Sequence, residues 1–293
     1  MKIQPECLPC LFKRVLYEVE MSTDDKEKGC DAVLGAIKTL TEVYDPRCCS
    51  AEIATHVHRT VYQKLGDKDP YEQLKEESNR VALSLLPRVK KVVAEDEDPL
   101  KAAIQCSIVG NILDFGIEGG SDSPENLLEV FDRFYSEGLG YSDYLRVRNL
   151  LSKADKVVLV ADNCGEIVFD KILCRELKRF NPKMFLTFVV RGKPILSDAT
   201  LEDAEKFGFK DVVDEIQTTG VFAVGLDLRR IPEELTCALG NADIILCKGM
   251  ANYEVFSETS YKPIAYLLRI KCSAIARSMK LPLHVNAIKL YER

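Results

Sequence analysis

The chain has 293 residues, 46% of them hydrophobic and 29% charged, with a formal net charge of -6. Such a length suits one large domain or two moderate ones with a substantial core. The acidic balance excludes a nucleic-acid protein held by a basic face, and no apolar run reaches the roughly 20 residues of a membrane-spanning helix.

The N-terminal stretch, Met1-Lys-Ile-Gln-Pro-Glu-Cys7, lacks the apolar core of a signal peptide, so a cytoplasmic location is expected. Cys7-Leu-Pro-Cys10 has the spacing of two thiolates on one metal or of a redox pair. It is half a zinc site at most, and Cys272 is the candidate third ligand; two ordinary core cysteines is the competing reading. Most other cysteines, among them Cys106, Cys174, Cys237 and Cys247, sit in apolar surroundings and are expected to be buried, reduced thiols.

Apolar residues recur at helical spacing from Cys10 to Glu20, Ala32 to Val43 and Ile53 to Leu65. A longer pattern runs from Tyr71 to Val93, with a break expected at Pro87. Leu100 to Leu113 reads as a central helix stopped by Gly116, and Ser123-Pro-Glu-Asn opens another, with Ser123 as its cap. His56 and His58, at i and i+2 on a helix, point to different faces and form no set with His284.

From Lys156 the period changes. Short β runs now alternate with helices, which places a boundary near residues 140 to 155 and divides the chain into a helical portion, 1–150, and an α/β portion, 151–293. Val157-Val-Leu-Val-Ala reads as a buried parallel strand that ends in Asp162-Asn163, ahead of a helix from Ile167 to Phe180. Met184 to Val190, Ala242 to Cys247 and Ile264 to Leu268 are further strands, and Pro282 to Ile288 is a candidate last one. Ligands of open α/β sheets bind at the carboxyl ends of the strands. Those ends carry Asp162/Asn163, Asp198, Lys248/Asn252 and Lys271.

Asp162, Asn163 and Asp198 supply two carboxylates and one amide oxygen, a set that suits Mg²⁺ or Mn²⁺ rather than zinc. Each has a plainer reading as a helix cap, and Ser197-Asp198 before Ala-Thr-Leu-Glu is a good capping sequence. Lys248 follows a buried strand and would meet an anion; a lysine snorkelling from the sheet edge is the alternative. Lys271 shares its segment with Arg269, and both read equally well as surface charges. Asn111 and Asp114 share one helix face. Glu166 reads either as an acid/base or as a first-turn helix acid. There is no Gly-x-x-x-x-Gly-Lys-Ser/Thr loop, no Gly-x-Gly-x-x-Gly after a strand and no Gly-x-Ser-x-Gly elbow.

Together, Cys7-Leu-Pro-Cys10, Gly110-Asn-Ile-Leu-Asp114, Asp162-Asn-Cys-Gly-Glu166, Arg191-Gly-Lys-Pro-Ile-Leu-Ser-Asp198, Lys248-Gly-Met-Ala-Asn252 and Lys271-Cys272 resemble the damage-control phosphatase family over nearly the whole chain. The cysteine elements are similar to those of its short stand-alone archaeal subgroup, itself similar to the phosphatase portion of pantothenate-kinase fusions. The resemblance implies a Rossmann-like α/β/α core beside an all-helical portion. It implies a divalent metal (Mn, Mg, Co or Ni) on Asp162, Asn163 and Asp198, and substrate phosphate on Arg191, Lys248, Gly249, Asn252 and Lys271. Asn111 and Asp114 would line the same pocket. One departure bears on substrate choice: Gly249-Met250-Ala251 stands where Gly-Gln-Gly is frequent in the family.

The expected activity is hydrolysis of phosphomonoesters of small metabolites, such as sugar phosphates or pantetheine phosphates, damaged ones included. Asp162, Glu166 and Lys248 are the catalytic candidates, Asp162 either as ligand alone or also as attacking carboxylate. Two alternatives stand beside it. An S-adenosylmethionine-dependent carboxyl methyltransferase would need a Gly-rich turn after the first strand, where only Gly165 is present. A non-catalytic phosphometabolite sensor would keep the lysines without needing the acid set.

Overall fold

The computed structural model describes residues 1–111 and 124–292. Asp114, the helix stop expected at Gly116 and the cap expected at Ser123 lie outside the described residues.

Three helices come first: α1 (Cys7–Ser22), α2 (Lys26–Val43) and α3 (Ser50–Leu65). Asp25 caps α2 by accepting from the backbone N–H groups of Glu27 and Lys28. Leu11, Val15, Ala32, Ala36, Val57, Val61 and Leu65 form a small core among these helices. Next, α4 (Glu72–Glu95) runs unbroken through Pro87, contrary to the expected break. A proline there frees and crowds the carbonyl of residue 83, but Val81, Ala82 and Leu85 before it and Val89 and Val93 after it are all buried in one core, which holds the helix on both sides. The central helix, α5 (Pro99–Gly110), is buried at Leu100 and continuously from Ala102 to Gly110. It is followed by α6 (Pro124–Ser136).

The α/β alternation comprises β1 (Tyr141–Ser142), α7 (Tyr144–Leu151), β2 (Lys156–Val160), α8 (Glu166–Phe180), β3 (Phe185–Val190), α9 (Leu201–Lys206), β4 (Glu215–Thr218), α10 (Glu233–Gly240), β5 (Ile244–Lys248), α11 (Gly249–Phe256), β6 (Ile264–Arg269), α12 (Ser273–Met279) and β7 (Asn286–Tyr291). The sheet order is β1-β7-β6-β5-β2-β3-β4. All pairings are parallel except β6 with β7. Two strands escape sequence reading: β1 has only two residues, and β4, Glu-Ile-Gln-Thr, is polar and lies at the sheet edge.

Alternate residues of each strand enter opposite cores, because side chains alternate across a sheet. Val157, Leu159, Leu186, Phe188, Ile244 and Leu246 face one core together with residues of α4, α5, α7 and α8. Val158, Val160, Ile245, Cys247, Tyr266 and Leu268 face the other, with residues of α10, α11 and α12. The result is three layers. Helices α4 and α5 belong to the same buried cluster as the sheet, so that core runs across the change in sequence period. From β2 the chain steps outward to β3 and β4, then returns to the other side of β2 as β5 and β6. The direction of winding therefore reverses between β2 and β5, and a crevice opens at their carboxyl ends. No described helix is long and apolar enough to cross a membrane.

Candidate active site

Asp162 and Asn163 follow β2 at this crevice, and Asp198 joins them through the loop after β3. An isolated bridge pairs Asn163 with Asp198. Ala199 donates its N–H to the Asp162 carbonyl at 2.8 Å, and Cys164 donates to the Ser197 carbonyl at 2.8 Å. The two loops thus form one platform. The Asp162 and Asp198 side chains are buried, as is Asn163. The alternative that Ser197-Asp198 caps a helix is not found: α9 is capped by Thr200 in a reciprocal box with Asp203.

Across the crevice, Gly249 opens α11 with φ at 72°, where a Cβ would lie 1.9 Å from Asp162 Oδ2. Only glycine lets the β5 end close on the β2 carboxylate. Asn111, at the end of α5, donates from Nδ2 to Asp162 Oδ2 at 3.0 Å and to Glu166 Oε2 at 2.6 Å. Asn163 Nδ2 also donates to Asp162 Oδ2, at 2.7 Å, while its Oδ1 accepts from Ser197 Oγ at 2.8 Å. Lys271 donates to the Asn111 carbonyl at 2.5 Å.

Lys248 is fully buried, not snorkelling. Its ammonium donates to Glu166 Oε1, to Asp170 Oδ1 at 2.9 Å and to the Ser107 carbonyl at 3.2 Å. An ammonium has three donors, and all three point into the protein. The expected open lysine at the strand end is replaced by a lysine that anchors two acids. Burial disfavours its charge, yet Asp170 and Glu166 hold its pKa above the ordinary value. Glu166 in turn is raised, by burial first, with Lys248 opposing and Asp170 adding to the rise. Two carboxylates share one ammonium, so the lysine stays charged while Glu166 retains affinity for a proton.

Arg191, at the end of β3, is 1% exposed. Its Nε donates to Asp198 Oδ2, and one Nη donates to Asn252 Oδ1 at 3.1 Å and lies 3.8 Å from Asp162 Oδ1. The other, Nη1, is buried with no hydrogen-bond partner among the described residues. Asn252 is itself fixed by donating to the Ala161 and Lys248 carbonyls at 2.9 and 2.7 Å.

The electrostatics bear on a metal. Asp162, Asp198, Glu166 and Asp170 are four buried acids beside two buried cations, Arg191 and Lys248. Asp162 is raised well above the usual carboxylate range, by burial first and then by Asp198 and Glu166. Buried acids outnumber buried cations here, with the part-buried Lys271 ammonium nearby on the Asn111 carbonyl, and such an acid-rich centre suits a bound cation. The donors are hard oxygens, as magnesium or manganese requires. Among the described residues no group of three or more His, Cys, Asp or Glu gathers around one point; the set here is two carboxylates and an amide.

Of the other candidates, Cys7 starts α1 and Cys272 caps α12, with Cys10 exposed. All three are free thiols, so the disulfide reading is not found. The Cys7 thiol is pushed up by burial, with Glu254, Cys272 and Cys10 adding to the rise. Cys237 is exposed, contrary to expectation, because it sits on the outer face of α10. His58 is buried 2.7 Å from Glu18 in the helical portion, away from the crevice residues.

Sequence reading missed Asp170, Ser107, Ser197 and Asn79. Ser107 Oγ donates to Asp170 Oδ1 at 2.6 Å. Asn79, on α4, accepts the Gly165 N–H at 2.6 Å. Asp170 carried a usable signal: it lies four residues after Glu166, on the same helical face, among Ile167, Phe169, Leu173 and Cys174 that are buried.

A sequence model for the damage-control phosphatase ARMT1-like domain matches residues 3–284. A damage-control phosphatase of Archaeoglobus fulgidus is 44% identical over 279 residues, covering 95% of this chain and 96% of that protein. One of Pyrococcus horikoshii is 30% identical, covering 96% of both. The crystal structure of a DUF89 family protein from Pyrococcus horikoshii superposes with a TM-score of 0.92 at 29% identity, over 100% of both chains. The Asp-Asn platform, the glycine that closes on it and the matched length agree: the chain belongs to the damage-control phosphatase ARMT1-like family.

Proposed function

We propose that the protein is a metal-dependent phosphomonoesterase of small phosphorylated metabolites, sugar phosphates or pantetheine phosphates among them. The observation that carries this reading is the surplus of buried acids over buried cations at the β2/β5 crevice, beside a buried guanidinium nitrogen with no described partner. Asp162, Asp198 and the Asn163 amide oxygen would hold the ion. Turning the Asn163 amide toward it would exchange the contacts to Asp162 and Ser197. When bound, a divalent ion supplies polarisation of a phosphoryl oxygen and charge for the transition state.

The chain's own groups do the rest. Arg191 Nη1 donates to a phosphoryl oxygen, with Asp198 and Asn252 fixing the plane of the guanidinium. Gly249 lets the end of β5 pack directly against the Asp162 carboxylate. Lys248 acts by holding Glu166, whose carboxyl is poised to keep or move a proton at Oε2, next to Asn111 Nδ2. Lys271 steadies Asn111 through its carbonyl.

The decisive assay is phosphate release from p-nitrophenyl phosphate, then from a panel of sugar and pantetheine phosphates, in chelated protein and after adding Mn²⁺, Mg²⁺, Co²⁺ or Ni²⁺. Metal-restored hydrolysis is expected. Full activity in exhaustively chelated protein would sink the proposal.

A further inference from the structure

Helix α3 presents one polar stripe to the sheet portion. Thr55 Oγ1 accepts the Val224 N–H at 2.9 Å, and Arg59 donates to the Phe222 carbonyl at 3.0 Å. The Tyr62 hydroxyl accepts the Leu196 N–H at 3.1 Å. Positions 55, 59 and 62 follow i, i+4, i+7 and so share a helix face. Thr55 and Arg59 hold the segment at Phe222 and Val224, which packs against the core. Tyr62 reaches the loop that carries Asp198.

Leu196 has φ at 49°, one of three described non-glycine residues with positive φ. Left-handed backbone disfavours a bulky side chain, and such a residue persists only where its surroundings over-determine it. Leu196 stands two residues before Asp198, next to Ser197. Ser197 Oγ donates to the Asn163 amide oxygen, and the Ser197 carbonyl accepts the Cys164 N–H. The conformation of residue 196 therefore sets where two of the three oxygen donors stand. The Tyr62 ring is buried, edge-on to Phe222 with ring centroids 5.3 Å apart, so its hydroxyl is held in place by packing.

We infer that Tyr62 of the helical portion is a positioning residue for the metal platform, acting by pinning Leu196 in its left-handed conformation so that Ser197 and Asp198 face Asn163 and Asp162. This inference rests on the proposed metal role of Asp198. Tyr62 touches neither substrate nor ion; the hydroxyl selects a backbone conformation that leucine by itself resists.

The test compares the whole protein with Tyr62→Phe, Leu196→Gly and the double variant. Tyr62→Phe keeps the ring and removes only the hydroxyl. Affinity for Mn²⁺ is read by electron paramagnetic resonance of the free ion, without substrate, with thermal unfolding measured alongside. Outer partners of metal ligands typically change metal affinity by about 10- to 100-fold, so Tyr62→Phe is expected to weaken Mn²⁺ binding roughly 10-fold. Glycine takes positive φ about as readily as negative. In the Leu196→Gly background the same removal should therefore cost less than about threefold, a coupling that a merely structural tyrosine would not show. Unchanged Mn²⁺ affinity in Tyr62→Phe, or an equal loss in both backgrounds, overturns the inference. Asp198→Asn separates the two levels. If it weakens Mn²⁺ binding while Tyr62→Phe does not, the positioning role alone fails; if it leaves binding intact, the metal assignment fails and this inference with it.

Discussion

Two of the buried polar centres in this protein differ in stoichiometry. In the helical portion Glu18 faces His58, one acid against one imidazole, both buried. At the carboxyl ends of the central strands four acids meet two buried cations, Arg191 and Lys248. The first sets one acid against one imidazole; the second gathers twice as many buried acids as buried cations. Atoms without a described hydrogen-bond partner occur in both, Glu18 Oε1 and Oε2 and His58 Nδ1 in the first, Arg191 Nη1 and Asp170 Oδ2 in the second. A one-to-one buried pair suits packing, whereas a buried cluster richer in acids than in cations suits a further positive charge from outside.

The largest expected effect separates the two centres directly. Asp162→Asn removes a charge from the unbalanced cluster and should lower phosphate release by roughly 10³ or more, about 4 kcal/mol of transition-state stabilisation, with the fold retained by circular dichroism. Activity within tenfold of the parent would remove Asp162 from the site.

Lys248→Met comes next. It withdraws the ammonium from Glu166 and Asp170 and strands two buried acids. Breaking a buried pair in this way costs about 3–5 kcal/mol of stability, and turnover should fall roughly 10²-fold as Glu166 loses its anchor. Urea unfolding and steady-state kinetics together read both losses. A stable variant with unaltered turnover would show that the lysine neither supports the acids nor serves the chemistry.

A smaller change is expected from Glu18→Gln in the one-to-one pair with His58. Stability should drop by about 2 kcal/mol, the scale of a hydrogen bond to a charged group, with turnover changed by less than about threefold. A loss of turnover as large as that of Asp162→Asn would erase the contrast between the two centres. Least affected should be Cys7→Ser with Cys10→Ser. Under reducing conditions turnover is expected within about twofold, because neither thiol joins the crevice network, and surface changes of this kind rarely exceed ~0.5 kcal/mol. A complete loss in a folded double variant would bring the cysteines into the mechanism.

Much of the architecture is readable from local pattern. The runs at β2, β3, β5 and β6 are apolar because parallel strands are covered on both faces, and their polar ends mark the crevice without knowledge of the fold. Asp162, Asn163, Asp198, Gly249 and Asn252 are accessible to that reading because each follows a strand within a few residues. Asp170 and Ser107 are not. The partner of Asp170, Lys248, lies 78 residues away; the spacing of Asp170 from Glu166 hints at a shared face but not at the cation that meets both. Pro87 misled for a related reason: the rule that proline breaks a helix is local, and here burial of Val81, Leu85, Val89 and Val93 in one core holds α4 on both sides of the proline.

By itself the sequence determined the helical and α/β segments, the strand ends and the kinds of oxygen and nitrogen they carry, since these follow from periodicity and from residue chemistry within a few positions. Tertiary structure alone decided which of those groups neutralise one another. It turned Lys248 inward onto Glu166 and Asp170, set Arg191 between Asp198 and Asn252, and brought Tyr62 to Leu196 across 134 residues. The physical reason is that burial and charge are sums over neighbours in space: only when β5 returns to the far side of β2 do the four acids become neighbours of two cations, and only then does the excess of charge exist.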